Sequence, residues 1–294
     1  MFELAKYIDA QRVLVDAALA ARLPDGATRP AVLHQAMRYP VLAGGKRLRP
    51  ILCLAAAEAV GGDAASAMPA ALALELLHTY TLVHDDLPCM DNDTLRRGRP
   101  TTHVVFGEAN ALLAGDALLT LAFEWAADVA VPPPYPPGQL VRELALGAGS
   151  QGVVGGQIED LAAEGAIPDA KRLDYIHSHK TGALIRAAVR MGAIAGGAAP
   201  ETLEALTRYG EAAGLAFQVA DDLLNATSTV EQLGKPVGSD AERHKLTYVS
   251  VHGLECARRR ARELAVEAVL AVKPLGTRAE PLSALARYAV ERVK

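Results

Sequence analysis

The chain has 294 residues, of which 51% are hydrophobic and 22% charged, so it can bury a large core in one or two domains. Its formal net charge of −4 gives no support to nucleic-acid binding. The three cysteines, Cys53, Cys89 and Cys256, lie far apart, which argues against a disulfide framework and predicts a reducing, cytoplasmic location.

The pattern of the chain predicts an all-α protein. Alanine and leucine dominate, and alternation of β-branched residues is absent. No apolar run reaches the roughly 18 residues of a membrane span, and the first residues lack a signal-peptide core. No change of composition divides the chain, so we predict one domain over residues 1–294. The predicted helices cover residues 2–22, 30–42, 48–60, 67–87, 107–129, 138–164, 171–194, 201–225, 243–270 and 279–293.

Residues 44–50 read Gly-Gly-Lys-Arg-Leu-Arg-Pro and precede an apolar helix. Lys46 and Arg49 are three residues apart, so on a helix they face one way. The planar donors of arginine and the point charge of lysine together suit a diphosphate. Taken alone, a charged turn at the entry to a helix is an equally good interpretation.

The predicted helix over residues 67–87 runs into a cluster of carboxylates formed by Asp85, Asp86 and Asp91. Pro88 predicts that the helix ends near Leu87, after which a short loop brings Asp91 back. Charge that leaves water must be compensated, and hard oxygen ligands without zinc-type spacing favour Mg²⁺. A solvated acidic helix end is the alternative, which the helix dipole disfavours.

Polar residues surround this first acidic cluster in the sequence. His78 and Thr81 precede Asp85 by seven and four residues and share its helix face. Arg96 and Arg97 follow the cluster, where they either bind an anion or only neutralise the aspartates at the surface.

A second acidic pair, Asp221 and Asp222, ends another apolar helical pattern. Gln218 and Asn225 share its face at spacings of three and four residues. Adjacent aspartates raise one another's pKa unless a cation is present. An ordinary helix end is again the alternative interpretation.

Three further stretches have weaker signals. Lys180 with Thr181, Lys235 and Lys245 are surface lysines on their own, and only the two acidic clusters make ligand roles for them reasonable. The glycine-dense residues 152–160 predict close approach by a helix or an apolar ligand. His84 beside Asp85 permits a His-Asp phosphohydrolase, but no further histidine has a spacing that fixes it as a ligand.

Together these motifs resemble the trans-isoprenyl diphosphate synthase family over residues 40 to 255, most nearly its bacterial farnesyl and geranylgeranyl diphosphate synthases. The family's two aspartate-rich motifs correspond to residues 85–91 and 217–225. The resemblance implies an all-α bundle of about ten or more helices around a deep central cavity. It also implies a homodimer and a prenyltransferase that uses two or three Mg²⁺ ions per site.

The resemblance assigns roles residue by residue. Positions that hold isopentenyl diphosphate correspond to Gly45, Lys46, Arg49, His78 and Arg97. Those around the allylic diphosphate correspond to Arg96, Lys180, Thr181, Gln218 and Lys235, and we add Lys245 as a substrate-binding residue. The predicted metal ligands are Asp85, Asp86, Asp91, Asp221 and Asp222.

The implied reaction is the head-to-tail condensation of isopentenyl diphosphate with dimethylallyl or geranyl diphosphate. The aspartates, Arg96, Lys180 and Lys235 are the residues expected to assist departure of the allylic diphosphate. Asn225 stands where the family usually has a third aspartate and loses one charge. A non-catalytic subunit of a heteromeric synthase is one alternative. A terpene cyclase is another, but it would have little use for residues 44–50.

Product length is expected to depend on the residues below the first aspartates. Tyr80 lies about 7.5 Å from Asp85 along the helix axis, and Thr81 is its neighbour. An aromatic residue at that place resembles farnesyl diphosphate synthases, so we predict the farnesyl product. The sequence Leu-Pro-Cys-Met-Asp-Asn-Asp over residues 87–93 also resembles plant-type geranylgeranyl synthases, which makes the longer product the main competitor.

Replacing Tyr80 with alanine should lengthen the product, because a smaller side chain leaves room for a longer prenyl chain. Chromatography of the dephosphorylated products of the wild type and Tyr80→Ala measures this length. An unchanged length would show that other residues form the floor of the cavity, for example those of the predicted helix around Phe123.

Overall fold

The computed structural model describes residues 2–165, 167–227 and 245–291. The first half contains α1 (Leu4–Arg22), α2 (Ala31–Val41), α3 (Leu48–Ala59), α4 (Ala64–Asp85), β1 (Leu95–Arg96), β2 (Arg99–Pro100), α5 (Thr102–Phe106), α6 (Glu108–Ala127) and α7 (Gln139–Ala148). The second half contains α8 (Val153–Ala163), α9 (Ala170–Ile176), a π-helical segment (His177–Gly182), α10 (Ala183–Ala195), α11 (Pro200–Thr227), α12 (Tyr248–His252), α13 (Leu254–Val272), a 3₁₀ segment (Lys273–Ala279) and α14 (Glu280–Glu291).

The predicted all-α class is confirmed. Across the described ranges the only strands are β1 and β2, two residues each, which pair antiparallel in the loop after α4. None of the helices in these ranges combines the length and the apolarity that crossing a bilayer requires.

Helix α4 lies at the centre of the bundle, packed against α3, α6 and α10. Its buried residues include Ala70–Leu77 without interruption, so it is covered on all sides. A helix that is apolar all round is expected in such a place. The carboxylates at its end are therefore held by a rigid, buried element.

Both ends of α4 follow from its sequence. Asp63 caps the start, where its side chain accepts a hydrogen bond from the amide of Ala65 at 3.1 Å. The helix ends at Asp85, two residues before the predicted Leu87, and the proline at position 88 keeps it from continuing.

Two of the predicted helices are wrong in detail because they are interrupted. The residues predicted to form one helix over 138–164 form two helices, α7 and α8. The chain turns between them, and a Cβ on Gly152 would lie 2.2 Å from the carbonyl oxygen of Gly147. The prediction over 171–194 contains the π-helical segment between α9 and α10. Such segments occur frequently at functional sites.

The predicted helix over 243–270 also departs from the structure. Its first two residues lie outside the described ranges, and the rest divides into α12 and α13 at Gly253, whose φ of 80° interrupts the helix. An extra short helix, α5, precedes α6. The helical class was thus readable from composition, whereas these interruptions were not.

Replacing Gly192 with alanine should destabilise the fold. Helices α10 and α3 touch there, and a Cβ on Gly192 would lie 1.9 Å from the carbonyl oxygen of Cys53. Forcing the helices apart should lower the free energy of unfolding by about 1–3 kcal/mol, measured by urea denaturation. Gly26→Ala is the matched control, because its nearest neighbour would be the flexible side chain of Gln35 at 3.4 Å. Equal stability of the two variants would contradict this account.

Candidate active site

The first acidic cluster sits on the carboxyl end of α4. The amide of Asp91 donates a hydrogen bond to the carbonyl oxygen of Asp85 at 2.8 Å, so the loop turns back as predicted. Burial is the main cause that raises the pKa of Asp85 from 3.8 to about 6; Lys180 opposes this rise and Asp91 adds to it. The protein thus leaves the charge of this carboxylate under-compensated, which is the condition that favours binding of a cation.

Asp86 differs from its neighbour because protein donors occupy it. It is 3% exposed, and the Nε atom of Arg96 contacts its two carboxylate oxygens at 2.8 and 2.9 Å. Burial raises the pKa of Asp86, against the opposing effect of Arg96. Arg96 also lies 3.7 Å from Asp93. Two of the predicted site residues therefore bind each other.

In the second acidic pair, too, protein donors bind one aspartate and the other is partly exposed. Asp222 is 4% exposed and accepts a hydrogen bond from the backbone amide of Tyr248 at 2.6 Å. The Nε2 atoms of His177 and Gln218 lie 3.2 and 3.3 Å from its carboxylate oxygens. Asp221, one residue earlier on α11, is partly exposed.

The π-helical segment brings the predicted Lys180 and Thr181 to these two pairs. The hydroxyl of Thr181 donates to the side-chain oxygen of Gln218 at 2.7 Å, next to the second pair. Lys180 lies close enough to the first pair to lower the pKa of Asp85 against the effect of its burial. One segment thus contacts the second acidic motif and acts electrostatically on the first.

Asp160 connects the lysines of the site and was not predicted from the sequence. Its carboxylate lies 2.5 Å from the Nζ of Lys180 and 3.6 Å from that of Lys245, which is itself 3.7 Å from Asp91. Burial would raise the pKa of Asp160, but the two lysines outweigh it and lower the pKa. Gly156 allows this approach, since a Cβ there would lie 2.1 Å from the amide of Lys180. The glycine density of residues 152–160 was the available signal.

These contacts join the two acidic motifs. Lys245 touches Asp91 of the first motif, and the amide of Tyr248, three residues later, touches Asp222 of the second. Two contacts made by residues only three positions apart therefore bring the two motifs near each other. Lys235 lies outside the described residues.

A pocket of arginines lies beside the first acidic motif, around His78. Burial lowers the pKa of His78 well below 6.5, and Arg49 and Arg97 lower it further. Burial likewise lowers the pKa of Arg49 to about 10, and its buried Nε has no hydrogen-bond partner within the described chain. Gly45 has a φ of 153°, which side-chain-bearing residues rarely adopt, and a Cβ there would lie 2.6 Å from the guanidinium of Arg97. The pocket is suited to an anion.

Arg47 fixes the loop that forms this pocket. It is 3% exposed with a φ of 49°, and its guanidinium contacts Glu75 at 2.6 Å, Asp16 at 2.7 Å and the carbonyl oxygen of Val41 at 2.6 Å. Glu75 was not predicted from the sequence. A single acidic residue within the apolar stretch of α4 was the signal for it.

A mainly apolar cavity of about 470 Å³ opens beside Lys46, among α1, α3, α11 and α14. Phe217, next to the second acidic motif, lines it. Neither Tyr80 nor Thr81 does. Tyr80 is 7% exposed and packs against His84, and Thr81 donates a hydrogen bond to the carbonyl oxygen of His78 at 2.7 Å. The predicted chain-length residues therefore do not contribute to this cavity.

The donor set can be compared with the needs of Mg²⁺. In the described part of the chain, no group of three or more His, Cys, Asp and Glu side chains stands in a metal-binding arrangement. Asp85, Asp91 and Asp221 are nevertheless partly exposed and supply hard oxygen donors, and burial raises the pKa of Asp85. These residues fit a hard cation that keeps several waters and takes further ligands from a phosphate.

Comparison with known proteins places this site in context. A model of the polyprenyl synthetase family matches residues 30–274. Geranylgeranyl pyrophosphate synthase 11 of Arabidopsis thaliana is 48% identical over 98% of this chain and 82% of its own length. The heterodimeric geranylgeranyl pyrophosphate synthase large subunit 1 of the same plant is 46% identical over 99% of this chain and 80% of its own.

A solved structure has the same fold as this chain. The crystal structure of an FPP/GFPP synthase from Zymomonas mobilis superposes with a TM-score of 0.86 at 37% identity and covers 98% of both chains.

Replacing His78 with glutamine should make the protein less sensitive to acid. Because the folded state depresses the pKa of His78, the unfolded chain binds a proton below about pH 6.5 that the folded chain does not, and stability falls as the pH falls. Urea unfolding at pH 7.5 and 5.5 measures this loss, which should be smaller in His78→Gln. His34→Gln, on α2, is the control and should behave as the wild type. Equal losses in the wild type and His78→Gln would contradict the prediction.

Proposed function

Because this chain belongs to the polyprenyl synthetase family and is a short-chain prenyltransferase, we propose that it condenses isopentenyl diphosphate with an allylic diphosphate in the presence of Mg²⁺. One observation supports this most directly. Two acidic motifs are joined through Lys180, Asp160 and Lys245, and an arginine pocket lies beside the first of them. The arrangement offers two anion sites, one of which includes carboxylates for metal ions.

We assign metal binding chiefly to Asp85, Asp91 and Asp221. The predicted ligands Asp86 and Asp222 have oxygens already engaged by Arg96 and by the amide of Tyr248. Their part is to orient the ends of α4 and α11. Asp85, Asp91 and Asp221 would hold the Mg²⁺, two or three ions by analogy with the family, and the metal would supply Lewis-acid withdrawal of charge from the allylic diphosphate.

The arginine pocket is assigned to the diphosphate of isopentenyl diphosphate. Arg49 and Arg97, with the neutral side chain of His78, offer donors with a fixed geometry, whereas Lys46 stays a sequence prediction for this pocket. Arg47 and its carboxylate partners keep the loop in place without facing the substrate. A pocket prepared in this way loses little free energy to reorganisation when the anion binds.

The departing allylic diphosphate is assigned to Lys180, Arg96 and Lys245, supported by Thr181 and Gln218; Lys235 stays a sequence prediction. These cations offset the negative charge that develops as the carbon–oxygen bond breaks. The double bond of isopentenyl diphosphate then attacks the allylic cation, and the released diphosphate takes the proton whose loss completes the condensation. Burial of the surrounding helices excludes water that would otherwise quench the cation.

For the product we propose geranylgeranyl diphosphate first and farnesyl diphosphate second. Relatives at 46–48% identity over nearly the whole chain are named for geranylgeranyl synthesis. Farnesyl diphosphate is favoured by the buried aromatic ring of Tyr80, five residues before Asp85. A homodimer, one domain over residues 1–294 and a cytoplasmic location complete the proposal, as the family resemblance and the sequence predict.

Incubating the purified chain with labelled isopentenyl diphosphate, an allylic primer and Mg²⁺ tests the activity. Asp85→Asn should reduce turnover by about a hundredfold or more, since it removes a carboxylate from the charge-stabilising site. Asp128→Asn, which alters a surface aspartate paired with Arg22, is the matched control and should turn over normally. Absence of incorporation by the wild-type chain alone would refute the proposal and favour a subunit that needs a partner.

A further inference from the structure

His84 lies between the ring of Tyr80 and helix α6. The two rings meet edge to face, with centroids 5.5 Å apart and planes at 89°. The Nε2 atom of His84 lies 3.0 Å from the carbonyl oxygen of Leu112, so this nitrogen carries the proton and donates it. The imidazole is thereby held on one side by α6 and on the other by the tyrosine.

Gly115 provides the place where this imidazole sits. A Cβ on Gly115 would lie 2.1 Å from Nε2 and 2.4 Å from Cδ2 of His84, distances that no side chain tolerates. Glycine is a poorer helix former than alanine, and here it stands in the middle of α6, within an otherwise Ala- and Leu-rich sequence. The benefit of glycine at this position is room for the histidine ring.

We infer that His84 and Gly115 are positioning residues that set the length of the prenyl product by fixing the ring of Tyr80. The inference rests on the proposed chain-elongation activity. Tyr80 is a buried residue on the same helix as the first aspartates, and its edge-to-face contact with His84 restricts how its ring can turn. Without this support the ring can rotate aside, and a longer chain then fits below Asp85.

The product distribution of variants on the two opposing helices tests this inference. His84→Ala removes the support, and Gly115→Ala expels the ring from its place on α6 without altering α4. Each should lengthen the main product by one or more five-carbon units, as chromatography of the dephosphorylated products measures. His34→Ala is the matched control, because His34 makes the same kind of contact, Nδ1 to the carbonyl oxygen of Thr28 at 2.8 Å, away from the site. It should leave the distribution unchanged.

A double variant shows whether His84 acts through Tyr80. If it does, Tyr80→Ala/His84→Ala should give the same product length as Tyr80→Ala alone, whereas independent effects would add. The KM for isopentenyl diphosphate should change less than threefold in His84→Ala and Gly115→Ala, because the arginine pocket is untouched. Circular dichroism confirms that the variants fold.

The outcomes separate this inference from the proposed function. An inactive wild type would refute the condensation itself. An active wild type whose product is unchanged or shortened in Gly115→Ala and His84→Ala would overturn the role of the pair while leaving the activity intact. Additive lengthening in the double variant would also overturn it, because His84 would then act independently of Tyr80.

Discussion

Charged groups that leave water at the ends of buried helices need partners, and this requirement organises the site. Asp86 receives Arg96, Asp222 receives the amide of Tyr248, and Glu75 within α4 receives Arg47. Each partner comes from a different element, so satisfying the charges also fixes how those elements are arranged. Removing one member of such a buried pair leaves the other uncompensated, which costs more than the pair contributes.

The two acidic motifs are arranged in the same way because each contains two adjacent aspartates. Successive side chains on a helix point in different directions, so one member of each pair turns into the protein and the other remains partly exposed. The inward aspartate binds protein donors and anchors the helix end. The outward one keeps its carboxylate at the site, and in Asp85 burial without a full complement of cations raises the pKa to about 6. A pair of like charges thus separates into an anchoring group and a carboxylate that we propose as a metal ligand.

Glycines decide where helices and side chains approach most closely. Gly156 lets α8 reach the backbone of Lys180, Gly192 lets α10 reach α3, and Gly115 admits the ring of His84 to α6. In each case a methyl group would lie closer than about 3 Å to its neighbour. The first of these contacts brings Asp160 to the lysines. The second joins two helices that pack against α4, and the third joins α6 to α4 itself, the central helix that carries the first motif. Helix packing and the geometry of the site therefore depend on the same small residues.

The sequence by itself determined the all-α class, the end of α4 before Pro88, the two acidic motifs and the arginine-rich loop, because these depend on local periodicity, proline and charge. Only the tertiary structure decided which aspartate of each pair is buried, and it introduced Asp160, Glu75 and His177 as partners. It also divided the predicted helix over 138–164. Those features depend on contacts between residues far apart in the chain, and the spacing of residues along one helix contains no information about what the next helix presents to it.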